Sequence, residues 1–78
     1  MITSFILALT FTTASGVKEE YVVDHNLTGE DCIERMQEEI DSSKHETVTQ
    51  VYKDYVEAYK AQAMAEKPVS YKFSCVKG

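Results

Sequence analysis

The sequence predicts an α+β domain in the order ββααβ: a three-stranded antiparallel sheet, made of an N-terminal hairpin and a C-terminal strand, with two helices packed on one face. Three observations predict it. Two β-rich runs near the start, residues 3–12 and 18–24, are joined by a short link ending in Gly16. Between Thr28 and Glu66 the apolar residues recur at three- and four-residue spacing, the period of a helix face. Tyr71, Phe73 and Cys75 then alternate with Ser70, Lys72 and Ser74, which returns the chain to the two-residue period of a half-buried strand. With 78 residues there is material for one core, so residues 1–78 are read as a single domain.

The first strand is expected over Thr3–Thr12, with Phe5, Leu7, Leu9 and Phe11 alternating against Ile6, Ala8, Thr10 and Thr12. Thr13-Ala14-Ser15-Gly16 supplies the turn, with Gly16 at the position that takes positive φ. The second strand covers Lys18–Asp24, and His25-Asn26-Leu27 is expected to leave the sheet. Thr28 is the expected N-cap of the first helix, with Asp31 in place of the usual Glu of a capping box. That helix is read to Asp41, with Cys32, Ile33, Met36 and Ile40 as its apolar stripe. Ser43-Lys44-His45-Glu46 reads as a second capping box. It opens a longer helix to Glu66, faced by Val48, Val51, Tyr52, Tyr55, Ala58, Tyr59 and Ala63 and stopped by Lys67-Pro68. The last strand is Val69–Val76, and alternation alone leaves open which hairpin strand it joins.

The uncharged run Ile2–Thr13, followed by Ala14-Ser15-Gly16, also has the outline of a cleaved export signal. No Lys or Arg precedes Lys18, and the threonines favour a strand, so the strand reading leads. A bilayer span needs ~20 apolar residues, more than this run supplies, and no membrane association is expected.

The net charge of -5 is unevenly placed. Residues 19–41 hold nine acids against Arg35 alone, while the rest of the chain carries a small excess of lysine. No basic cluster exists to displace counterions from a phosphate backbone, so direct nucleic-acid binding is not expected. On the first helix Glu30, Asp31, Glu34, Glu38 and Asp41 share one polar arc. A solvated surface is the ordinary reading of such an arc; the sharper one is a row of charges that imitates phosphates and fills the groove of a nucleic-acid-binding protein.

No catalytic constellation is legible, and the chain is read as a non-enzyme. His25 and His45 stand apart, no C-x-x-C or H-x-x-x-H occurs, and the glycines are scattered, so neither metal nor cofactor is expected. Cys32 and Cys75 are expected as free thiols against the core, with a bridge geometrically open if Cys32 faces the last strand. Tyr52, Tyr55 and Tyr59 form a stripe that serves either as core or as a dimer interface.

Between Phe5 and Met36 the chain resembles the YebW-type small proteins of lambdoid prophages. The residues that carry the resemblance are Phe5-Ile6-Leu7-Ala8-Leu9, Gly16, Glu19-Glu20, Tyr21-Val22-Val23-Asp24, Thr28, Cys32 and Met36. The long second helix and the Tyr71-Lys72-Phe73-Ser74-Cys75 strand depart from that pattern. The resemblance implies a phage or prophage origin and a place in the host cytoplasm; it implies no activity. The expectation is therefore a phage-encoded binding protein that inhibits or modulates a host protein, such as a nuclease or defence complex, through Glu30, Asp31, Glu34, Glu38 and Asp41. The alternatives are a small periplasmic or secreted protein, cleaved near Gly16 and carrying one disulfide, and a structural homo-oligomer.

Overall fold

The structure, a computed structural model, describes residues 4–62 and 65–78. Among these residues the chain forms β1 (Phe5–Thr13), β2 (Lys18–Leu27), α1 (Gly29–Ser43), α2 (Val48–Tyr59) and β3 (Pro68–Lys77), the expected ββααβ order. The expected strand start at Thr3 and the helix position Ala63 lie outside the described residues. The sheet order is β2-β1-β3, all antiparallel, which settles the choice the alternation left open: the last strand joins β1.

β1 is thus the centre strand, and its odd positions build the core. Leu7, Leu9 and Phe11 are fully buried, as are Cys32 of α1 and Val51 of α2, and Tyr21 of β2 and Phe73 of β3 are buried beside them. Phe11 is the hub, with ring centroids 4.9 Å from Tyr52, 5.9 Å from Tyr21, 6.0 Å from Tyr71 and 6.4 Å from Tyr55. Three of these contacts are edge-on, the arrangement that sets the positive rim of one ring against the negative face of another.

The hairpin closes as the sequence predicts. Gly16 takes φ 91°, and Thr13 holds the turn through its own N–H to the Val17 carbonyl at 2.9 Å and its hydroxyl to the Val17 N–H at 3.0 Å. Thr28 caps α1, accepting from the Asp31 N–H at 3.1 Å.

Four expectations are corrected. His25-Asn26-Leu27 stays in the sheet: Asn26 takes φ 57° at an irregularity in the pairing, which brings Leu27 back beside Phe5. α2 is capped by Thr47, not Ser43; the Thr47 hydroxyl accepts from the Gln50 N–H at 3.1 Å. Ser43 instead ends α1, with its hydroxyl donating back to the Glu39 carbonyl at 2.9 Å and accepting from the Tyr71 hydroxyl at 3.2 Å.

α2 ends at Tyr59 and not at Glu66. Lys60 adopts φ 53°, and the Lys60 and Ala61 N–H groups close on the Glu57 and Val56 carbonyls at 3.3 and 3.0 Å, which stops the helix with two stapled carbonyls. Pro68 accordingly opens β3, at an edge-strand start where its missing N–H costs nothing.

The cysteines are bonded. Cys32, in the first turn of α1, lies over β3 with its Cα 6.1 Å from that of Cys75, and the two form a disulfide. The free-thiol expectation fails because α1 turns Cys32 onto the sheet beside Cys75, where it is fully buried.

Candidate functional site

The cap at Thr28 and the bond at Cys32 also decide what α1 shows to solvent. Cys32, Met36 and Ser43 turn inward with the aliphatic stem of Arg35, so Glu30, Asp31, Glu34, Glu38 and Asp41 all lie exposed on the outer side. The expected apolar stripe is only half right. Cys32 and Met36 pack inward, whereas Ile33 is 59% exposed and Ile40 37% exposed. On the helical wheel these two isoleucines lie together along one edge of the acidic arc, so the outer side of α1 combines carboxylates with uncovered aliphatic surface.

The one base of this region is engaged within the fold. The Arg35 guanidinium reaches Asp24 of β2 at 3.2 Å, Glu38 at 3.3 Å and Glu39 at 2.9 Å. The second Glu39 oxygen accepts from the Tyr55 hydroxyl at 2.8 Å, which ties α1 to α2. Asp24 is held below the usual carboxylate range, first by the His25 N–H and then by Arg35. Burial, followed by the Glu39 hydrogen bond, pushes the Tyr55 phenol up. Arg35 in turn holds its proton more tightly, chiefly through Glu39.

The five expected contact residues are therefore not equivalent. Glu38 shares Arg35, and Asp41 accepts from the Gln37 amide at 3.0 Å. Among the described residues Glu30, Asp31 and Glu34 make no ion pair. The i,i+3 and i,i+4 pairs of Arg35 with Glu38 and Glu39 were visible as a spacing in the sequence; the reach to Asp24, across the fold, carried no local signal.

The tyrosine stripe faces inward. Tyr52 and Tyr55 are half-buried against Phe11, and Tyr59, although 43% exposed, stacks on Tyr21 and Tyr55 and donates to the Val23 carbonyl at 3.4 Å. Burial pushes Tyr59 up as well, and lifts Tyr21 to about 12 with help from the Glu19 charge.

A cleft of about 520 Å³ lies between α2 and the chain before β3, lined by Tyr52, Val56 and Ala65 with Lys53, Glu57 and Lys67. Among the described residues no three His, Cys, Asp or Glu side chains converge to hold a metal ion, and no helix is long and apolar enough to cross a membrane. Compared with known proteins, the chain matches no family model, no curated protein and no solved structure.

Proposed function

We propose that this chain is a phage-encoded, non-catalytic binding protein that docks the outer side of α1 onto a basic surface of a host protein and so inhibits or modulates it. The observation that supports this most is the composition of that side: Glu30, Asp31 and Glu34 without ion pairs among the described residues, beside exposed Ile33 and Ile40. Carboxylates alone steer an encounter, while adjacent aliphatic surface gives the encounter something to bury. A nucleic-acid-binding groove on the partner fits the charge, because its cations are already spaced to meet a row of anions.

The test begins by capturing a partner from host lysate and then measuring association with purified components. In the double variant Glu34→Lys/Asp41→Lys the association rate should fall by roughly tenfold or more, since steering by surface charge acts on the on-rate. Raising salt should shrink the difference. Lys53→Glu/Lys60→Glu, on α2 and at its C-cap, should change little. A partner that binds the α1 variant as fast as the parent chain overturns the proposal.

One observation favours a second reading. Disulfides persist in oxidising compartments, and the Cys32–Cys75 bond is what a small secreted or periplasmic protein would carry. In that reading β1 has to be retained, because a cut after Gly16 would take away the centre strand and the four fully buried residues Leu7, Ala8, Leu9 and Phe11. Alkylation of thiols in intact cells before lysis separates the two: protection of both cysteines favours the oxidising compartment, and modification of both favours the cytoplasm.

A further inference from the structure

The helices cover one face of the sheet and leave the other bare. On the bare face the register sets residues in rows across the three strands. Glu20, Thr10 and Lys72 form one row, and Val22, Ala8 and Ser74 the next. Ile6 and Val76 follow. An antiparallel sheet with one wet face is expected to alternate apolar-in and polar-out. This face departs from that rule at one end, where Val22 is 47% and Val76 41% exposed around the fully buried Ala8. Its charge is also ordered in one row, with Glu20 on one edge strand and Lys72 on the other, while Lys18 follows Glu20 on β2 in the row it shares with Thr12 and Ser70. Among the described residues neither Glu20 nor Lys72 is engaged in an ion pair.

We infer that this bare face is the contact between two copies of the chain, packed sheet on sheet about a two-fold axis nearly parallel to β1, with Glu20 of each copy opposite Lys72 of the other. Rotation by half a turn about the direction of the centre strand keeps every residue at its own height and exchanges the two edges. β2 of one copy therefore lies over β3 of the second. The row that holds Glu20 and Lys72 meets itself reversed, so two opposite-charge pairs form, and the same rotation sets Lys18 over Ser70. In the neighbouring row Val22 meets Ser74, on either side of Ala8, which is fully buried and adds no contact surface of its own. Sheets pack face to face at ~10 Å with strands within about 30° of alignment, a separation that Glu and Lys side chains span from opposite sides. A C2 contact of this kind is self-complementary by construction.

The size of the face sets the strength. Nine residues of β1 across three strands give a footprint of roughly 30 by 14 Å, on the order of 400 Å², against ~800 Å² per partner for a standard interface. The dimer is accordingly a reversible one, forming over roughly the micromolar to millimolar range of protein concentration.

Sedimentation equilibrium of the oxidised full chain tests this. The parent chain should dimerise with rising concentration, and more weakly as salt is raised. Glu20→Lys and Lys72→Glu should each weaken dimerisation by about tenfold or more, because each sets like charges face to face. The decisive sample mixes the two. Glu20→Lys presents two bases and Lys72→Glu two acids, so the two single variants should associate with one another although each alone is monomeric. The double exchange Glu20→Lys/Lys72→Glu should restore the parent behaviour. Circular dichroism of each variant guards against loss of fold, and all substitutions are at exposed positions. A chain that stays monomeric throughout overturns the inference. So does a dimer that ignores both charge reversals, and one that disperses on Tyr59→Lys while ignoring the reversals places the contact on α2 instead.

Discussion

Where α2 presents Val51, Tyr52, Tyr55 and Val56 to the sheet, α1 presents Cys32, Arg35, Met36, Glu39 and Ser43. The two helices lie on the same face and are held by different physics. α2 is fastened by rings and aliphatic surface around Phe11, a non-directional attraction that grows with the area removed from water. α1 is fastened by one covalent bond and a set of directed polar contacts, Arg35 with Asp24 and Glu39 with Tyr55. The lesson is that a helix tied by a few strong points does not need its aliphatic residues for docking. Ile33 and Ile40 are free to face outward on α1, which is where the proposed partner surface lies.

The comparison breaks most sharply at Phe11. Phe11→Ala removes the ring that touches four tyrosines and should cost about 3–5 kcal/mol, the range for emptying an aromatic site in a close-packed core. Urea unfolding should show it, and α2 should lose amide-exchange protection before α1. Reduction of the Cys32–Cys75 bond should cost about 2–4 kcal/mol, since it releases a closed loop spanning 43 residues in the unfolded chain. After reduction the order of loss should invert, with α1 exchanging first. An unchanged pattern in both cases would mean that the two helices form one cooperative unit.

Arg35→Met is the gentler probe of α1. The guanidinium side chain is a third exposed and its partners are near solvent, so the loss should be only about 1 kcal/mol and should shrink in high salt. The smallest effect is on the α2 side and is silent under ordinary conditions. Tyr21 is raised from 10.0 to about 12, and Tyr55 and Tyr59 are raised as well. Below pH 10 these phenols are protonated in both folded and unfolded chains. As pH climbs past 10 the unfolded chain releases its protons first, so stability should fall progressively as pH rises toward the folded-state values. Ultraviolet titration of phenolate beside an unfolding series would show whether loss of structure tracks those groups.

The parts legible in the sequence are those that local chemistry dictates. Alternation placed all three strands, Gly16 placed the hairpin turn, and Thr28 placed the start of α1. What was not legible depended on distant partners or on a residue acting against type. Ser43 looked like a cap, yet Tyr71 from β3 and the Glu39 carbonyl claim its hydroxyl. Lys60 ends α2 in a left-handed conformation that normally signals Gly or Asn, so spacing carried the expected helix past it. At the candidate site the acidic arc was read from spacing, but the outward turn of Ile33 and Ile40 was not. Helical period alone cannot choose between two adjacent faces of α1 until the bond from Cys32 to Cys75 fixes the rotation.

The placement of β1 has a consequence for how the chain comes into being. On the ribosome β1 is made before β2, and the two can zip into a hairpin at once, but the second flank of β1 belongs to β3, about sixty residues later along the chain. Until that last strand emerges, Leu7, Leu9 and Phe11 sit on a strand with one bare flank, the kind of nascent edge that invites pairing with a neighbouring chain. Such sequence-distant pairing also slows closure, since the long loop has to be ordered before its contacts reward it. The centre of this sheet is thus the first strand made and the last to be completed.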